Sequence, residues 1–179
     1  LNADGSIAHQ MADWEEEVRL TRWVRAPSGW VCEAGVIAPL EPFPSDAYHA
    51  MMVGLRDYVN TNRFPGVVLG LSGGIDSALC AAIAADALGP ERVWSVMLPS
   101  RFTGQESLSD AAECAAMIGC RLDTIPIAPA VSAFDAMLSD SFADAQVDIT
   151  EENIQSRIRG VTLMALSNKF GPMLMTTGN

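Results

Sequence analysis

Six residues, Ser72-Gly73-Gly74-Ile75-Asp76-Ser77, join an apolar run to an alanine-rich one, and this junction constrains the fold more than any other stretch. Val67 to Leu71 is short, apolar and rich in β-branched residues, the mark of a strand buried in a parallel sheet. The segment from about Asp76 to Leu88 predicts a helix, with Leu79, Ile83 and Ala87 spaced by four and Gly89-Pro90 ending it. A strand that turns through glycines straight into a helix is the first half of a β–α–β unit.

The rest of the chain repeats the pattern. Val93 to Leu98 reads as a second strand, Pro99 to Gln105 as a loop, Ser107 to Ile118 as a helix closed by Gly119, and Leu122 to Ile127 as a third strand. Ser139 to Ile149 is acidic and poor in apolar anchors, so a loop is expected there, followed by a long helix from Thr150 to Phe170 and a fourth strand at Met173 to Met175. Crossovers of this length imply an α/β fold, a parallel twisted sheet with helices on both faces.

The first 38 residues differ. Asn2-Ala3-Asp4-Gly5 reads as a turn, Gly29-Trp30-Val31-Cys32 as a strand fragment, and Glu15-Glu16-Glu17 as a solvated face. Three adjacent carboxylates on one element cannot converge on one ion. Pro39, Pro42 and Pro44 mark a stiff connector over 39–45. Ser45-Asp46 then offers an N-cap for a helix to about Asn62, with Met51, Met52, Leu55 and Val59 on its apolar side. The expected division is therefore 1–38, a connector at 39–45, and the α/β domain at 46–179. The chain begins at Leu1 and stops just after an apolar strand, and both features are read as those of a piece of a longer protein.

Charge limits the chemistry. The 179 residues carry 22 acidic and 11 basic side chains, a formal net charge of −11, and Lys169 is the single lysine. Nucleic-acid binding through a basic face is not expected. No apolar run reaches the roughly 18 residues of a membrane span, no leader pattern is present, and the expected compartment is the cytoplasm. Cys32, Cys80, Cys114 and Cys120 form no C-x-x-C pair, and Cys80 is expected to be a small buried hydrophobe. His9 and His49 fall outside every motif.

The glycine turn is where ligands bind in open parallel sheets, beyond the carboxyl ends of the strands. Gly73 and Gly74 let the backbone approach an anion, Ser72 and Ser77 add hydroxyls, and the first helical turn adds free N–H groups. There is no G-K-[ST] and no G-x-G-x-x-G, which excludes a Walker A loop and a dinucleotide-binding turn. Asp76 has two readings: a carboxylate that holds Mg²⁺ against phosphate oxygens, or a plain helix N-cap.

Ser72-Gly73-Gly74-Ile75-Asp76-Ser77 resembles the S-G-G-x-D-S pyrophosphate loop of the N-type ATP pyrophosphatases, a group that includes NAD, GMP and asparagine synthetases and tRNA-thiolating enzymes. Thr150 to Gly160, with Glu152-Asn153-Ile154-Gln155-Ser156-Arg157-Ile158-Arg159, is similar to the signature helix of NAD synthetases, and Thr176-Thr177-Gly178-Asn179 to the segment that follows it. Pro99-Ser100-Arg101 and Ser107 to Ala111 fit the glutamine-dependent branch, and Leu1 to Ala38 looks like the tail of its nitrilase-like glutaminase domain.

The resemblance implies an adenine nucleotide α-hydrolase-like, Rossmann-like fold. It also implies ATP-dependent amidation of deamido-NAD to NAD through an adenylate, with AMP and pyrophosphate released and glutamine or ammonia supplying nitrogen. It places ATP on Gly70, Leu71, Ser72, Gly73, Gly74, Ile75, Asp76, Ser77 and Thr177, Mg²⁺ on Asp76, and deamido-NAD on Asn153 with Arg157 as a second contact. It implies synthetase domains paired as a homodimer within a larger homo-oligomer, with the dinucleotide site shared between subunits. A glutaminase triad and a second metal-binding glutamate are expected outside these 179 residues. The alternatives are another ATP pyrophosphatase, such as a GMP synthetase, and a noncatalytic nucleotide-binding sensor.

Helical phase gives a separate reading of the long helix. Ile154, Ile158, Val161 and Ala165 form an apolar stripe expected to face the core, with Asn153 and Arg157 on its flank and Arg159 nearly opposite, paired with Glu152. Arg101 is read either as a phosphate contact or as a loop-solvating residue.

Overall fold

A computed structural model describes residues 1–177, in two compact units, Leu1–Val53 and Gly54–Asn179. In the first unit β1 (Trp23–Ala26) and β2 (Gly29–Cys32) form an antiparallel hairpin with Trp23 opposite Cys32 and Ala26 opposite Gly29. The expected turn at Asn2 to Gly5 is present, closed by the Gly5 N–H donating to the Asn2 carbonyl at 3.0 Å. Glu15, Glu16 and Glu17 are exposed. Glu41 gathers three donors, from the Trp14 indole, the Ser45 hydroxyl and His49 Nδ1. The Ser45 hydrogen bond, then the His49 hydrogen bond, hold its carboxyl below the usual range. Helix α1 (Ser45–Thr61) contains the boundary between the units; Val59 is its buried residue, whereas Met51 is exposed.

The second unit is the expected parallel sheet. Its strands are β3 (Val67–Gly70), β4 (Val93–Met97), β5 (Arg121–Thr124) and β6 (Met173–Met175), in the order β5-β4-β3-β6. All three pairings are parallel, with Val68 aligned to Trp94 on one side and to Leu174 on the other. β3 is buried from Val67 to Leu69, as a strand with neighbours on both edges must be. Its first crossover, α2 (Ile75–Leu88), leads to β4, and α3 (Gln105–Ile118) leads on to β5; these two helices touch each other and the sheet. The other face packs under α5 (Ile149–Phe170), which touches β3, β6 and α4 (Ala128–Leu138). Val68, Val96, Leu98, Ile127, Ile158 and Leu163 form the core on that side.

Three local expectations change. Helix α4 lies in a stretch for which no helix was expected, because Pro129 and an alternation of small and apolar residues obscure a 3.6-residue period. β5 is shorter than expected; Ile125 and Ile127 leave the strand, and Ile127 turns into the core under α5. Leu79 is 48% exposed, so α2 buries Ala81, Ala84, Ala85 and Leu88 as well as Ile83 and Ala87. Small residues dominate that face because α2 lies close against both the sheet and α3.

The largest correction concerns α5. Of the stripe Ile154, Ile158, Val161 and Ala165, Ile158 is in the core and Ile154 packs against it, whereas Val161 is 69% exposed and Ala165 is exposed as well, so the core face is turned away from the second half of the stripe. The buried residues are Gln155, Ile158 and Leu163, with Leu166 packed behind them. At 100° per residue these centre on Gln155, Arg159, Thr162 and Leu166. Three polar residues at the centre of the buried face, Gln155, Arg159 and Thr162, hid it from a count of apolar spacing.

A capping box starts α5. The Asp148 carboxylate accepts from the Thr150 N–H at 2.8 Å, and the Glu151 carboxylate accepts from the Asp148 N–H at 3.0 Å. The Thr150 hydrogen bond holds the Asp148 carboxyl below its usual range. A depressed carboxyl contributes stability above its unfolded pKa and loses it as pH falls through the folded value. Asp148→Ala should therefore speed amide exchange in the first turn of α5 at neutral pH, with the difference from the unsubstituted chain closing as pH falls through that range. Ile158→Ala should lower unfolding stability by about 3 kcal/mol, and Val161→Ala by less than about 0.5 kcal/mol; denaturant midpoints check both.

Candidate functional site

In the sheet order β5-β4-β3-β6 the chain moves from β3 outward to β4 and β5, then returns to the opposite side of β3 as β6. Such a reversal opens a crevice at the carboxyl ends of the strands, between β3 and β6. A cavity of about 300 Å³ lies there, lined by Gly70, Leu71, Ser72 and Ser77 from the β3–α2 turn, by the end of β4, and by Thr177 after β6. The sheet thus brings Thr177, distant in sequence, to the same cavity as the glycine turn.

The turn is held by its own serines. Ser77 is buried, and its hydroxyl donates to the Gly74 carbonyl at 2.9 Å while accepting from the Ser72 N–H at 3.2 Å. The Ser72 hydroxyl accepts from the Gly74 N–H at 3.2 Å and lies 3.1 Å from the Ser77 hydroxyl. Ser77 is therefore a brace inside the turn, and Ser72 is the exposed hydroxyl. Gly73 has φ +84°, and a Cβ there would stand 2.4 Å from the Ser107 carbonyl oxygen at the start of α3. Both the backbone angle and this close approach require glycine. Gly74 has an extended backbone, φ −85°, and meets only ordinary contacts, so neither condition applies to it.

Helix α2 has Gly74 as N-cap and no capping side chain. The first helical bond runs from the Ala78 N–H to the Gly74 carbonyl, so the N–H groups of Ile75, Asp76 and Ser77 lack intrahelical acceptors. These donors and the helix dipole favour an anion at the turn. Asp76 is not the N-cap, which removes that reading of it: it stands exposed in the first turn, and its carboxylate accepts no hydrogen bond and forms no ion pair among the described residues. Its charge, after burial, raises the thiol pKa of Cys80, which is half-buried instead of fully enclosed. The described residues contain no cluster of three metal-ligating side chains. Asp76 is the side chain at the turn able to contribute a ligand to a cation.

The other expected residues are placed differently. Asn153 and Arg157 are exposed on the outer side of α5, with Arg157 Nη1 donating to the Asn153 carbonyl at 3.2 Å, and neither lines a cavity described here. Arg159 is on the inner side, where its Nε donates to the Leu98 carbonyl at 3.2 Å; no bond to Glu152 forms. It lines both the loop cavity and a second cavity of about 680 Å³ containing Ser100, Arg101, Phe102 and Asp148. Arg101 stacks over Phe102 at 4.7 Å in that second wall. Thr103 and Ser107 also line the loop cavity and carried no sequence signal beyond their loop and helix-start positions. Gly178 and Asn179 lie outside the described residues.

A parallel sheet with a lysine-free turn of unpaired amides at its switch point defines the chain as an α/β protein with helices on both faces of the sheet. The NAD synthase family profile matches residues 47–179, and the chain belongs to that family. It is 53% identical over its whole length to a glutamine-dependent NAD(+) synthetase of Rhodobacter capsulatus, covering 32% of that protein, and 41% identical to one of Acinetobacter baylyi, covering 33%. The chain thus spans about a third of the length of the curated relatives it matches. The solved glutamine-dependent NAD+ synthetase of Acinetobacter baumannii, in complex with ADP, superimposes with a TM-score of 0.90 at 42% identity, over 99% of this chain and 34% of that one. The NH3-dependent NAD synthetase of Campylobacter jejuni gives a TM-score of 0.68 at 28% identity, over 75% of this chain and 56% of that one.

Gly73→Ala should destabilise the fold by roughly 2 kcal/mol or more, from the positive φ alone, while Gly74→Ala should change stability far less. Urea unfolding of the two variants checks the difference.

Proposed function

We propose that the protein containing this chain amidates deamido-NAD to NAD at the expense of ATP, releasing AMP and pyrophosphate, with ammonia derived from glutamine. The observation that supports this most is the Ser72–Ser77 turn, which carries unpaired amides where α2 starts and whose two serines line the cavity that Thr177 also lines. In this reading Gly70 to Ser77 and Thr177 hold ATP. The turn takes the pyrophosphate end, and Gly73 locks it against α3 so that its donors need no rearrangement during reaction.

An oxide is too poor a leaving group for ammonia to displace from a carboxylate. The nicotinate carboxylate oxygen bonds to the α-phosphorus, the bond to the bridging oxygen breaks, and the electron pair leaves with pyrophosphate. Ammonia nitrogen then bonds to the acyl carbon, the C–O bond to AMP breaks, and the ammonium proton is lost. The protein's part is alignment and charge neutralisation. Mg²⁺ fits beside Asp76, an exposed carboxylate without other hydrogen-bond partners, because this ion takes one or two carboxylates and completes its shell with phosphate and water. When bound it offsets phosphate charge.

Asn153 and Arg157 hold deamido-NAD in this reading. Their outward position on α5 favours a dinucleotide site completed by a second subunit, and hence a homodimer of synthetase domains within a larger homo-oligomer. Residues 1–38 are read as the tail of a nitrilase-like glutaminase domain, 39–45 as a connector and 46–179 as part of the synthetase domain. The reaction is placed in the cytoplasm, where thiols such as the four free cysteines stay reduced; no described helix is long and apolar enough to cross a membrane.

The full-length protein with ATP, Mg²⁺ and deamido-NAD should release pyrophosphate in amounts that depend on the dinucleotide. Asp76→Ala should lower that rate at least ~100-fold. Normal release from the variant would remove Asp76 from the metal site, and ATP binding without any release would make the protein a nucleotide sensor.

A further inference from the structure

Arg159 is a half-buried cation without a carboxylate partner among the described residues. Its Nε is fixed to the Leu98 carbonyl, while Nη1 and Nη2 find no acceptor among the described residues. Glu151 and Glu152, on the same helix and in the wall of the second cavity, do not pair with it. A single neutral carbonyl leaves the guanidinium charge without a compensating anion. Arg159 nevertheless sits at the centre of the buried face of α5, in the wall shared by the two cavities.

The position says what the free donors are for. Gly70, Leu71, Ser72 and Ser77 of the glycine turn line one part of the loop cavity, and the turn takes the terminal phosphates in the reading above; the α-phosphoryl group is the next anion along the ligand. Fixing Nε to the backbone at the end of β4 holds the planar fork, so that two further N–H groups can meet two oxygens of one phosphoryl group without being ordered first.

We propose that Arg159 contacts the α-phosphoryl oxygens of ATP and stabilises the charge on them as the carboxylate–phosphorus bond forms and the bond to pyrophosphate breaks. The proposal rests on the amidation reading and adds to it a residue that reaches the reacting phosphorus. Asn153 and Arg157, on the opposite side of α5, cannot reach the same cavity wall.

The test uses the full-length protein and measures deamido-NAD-dependent pyrophosphate release, equilibrium ATP binding and thermal unfolding for Arg159→Lys and Arg159→Ala. Lysine keeps the charge and a donor for the Leu98 carbonyl but loses the fork. Arg159→Lys should unfold at the same temperature as the unsubstituted protein, bind ATP within about threefold of it, and lose ~10²–10³-fold in kcat. Added guanidinium should raise kcat of Arg159→Ala and leave the unsubstituted protein unchanged. Unaltered kcat in Arg159→Lys would overturn the proposal. So would a loss in Arg159→Ala that tracks a lower unfolding temperature and shows no recovery with guanidinium. If the unsubstituted protein releases no pyrophosphate with deamido-NAD, the amidation reading fails, and this proposal with it.

Discussion

The backbone of β3 has to find hydrogen-bond partners on both of its edges in a place water does not reach, and the rest of the second unit follows from that. β4 satisfies one edge and β6 the other, both in parallel, so each connection must cross the sheet through a helix. Parallel strands put all their carboxyl ends on one side. The chain leaving β3 turns at that end, and it turns where its two neighbours diverge. A ligand-binding crevice is thus a consequence of how β3 is paired, before any side chain is considered.

What the crevice binds depends on charge, and here the acidity of the chain matters. With one lysine and a net charge of −11, a phosphate site cannot be built from a cluster of basic side chains. The turn offers partial charges instead: amides left unpaired where α2 starts, in a loop held by the Ser72–Ser77 hydrogen bonds and by a glycine that lies directly against Ser107. These donors are fixed by the fold and cost little to orient. A single arginine, set in the wall by a backbone carbonyl, adds a full charge to the same cavity.

The central elements were legible in the sequence because they are repetitive and locally consistent. β3, α2, β4, α3 and β6 each combine an apolar run with a glycine or proline stop, and their positions agree with the expectation to within a few residues. The glycine turn was legible as the link from β3 to α2, because glycines and serines between an apolar run and an alanine-rich one leave little else for the backbone to do there. The phase of α5 was not. Apolar spacing is informative only when the buried face is apolar, and this one carries Gln155 and Arg159 at its centre, with Val161 left in solvent. The same substitution of polar for apolar residues that misled the count marks the wall of a cavity. Helix α4 was missed for a different reason: it is short, contains Pro129, and turns only a small face, Ala130 and Val131, to the core, and its place is set by contact with α5.

The central claim is that the amides of the β3–α2 turn receive pyrophosphate. Hydrogen exchange measured by mass spectrometry on the full-length protein, with and without magnesium pyrophosphate, tests it most directly. The account predicts slower exchange in peptides spanning 70–78, with no change in those spanning 90–94 at the opposite end of the sheet. Protection at 90–94, or anywhere else, with none over 70–78 would contradict it.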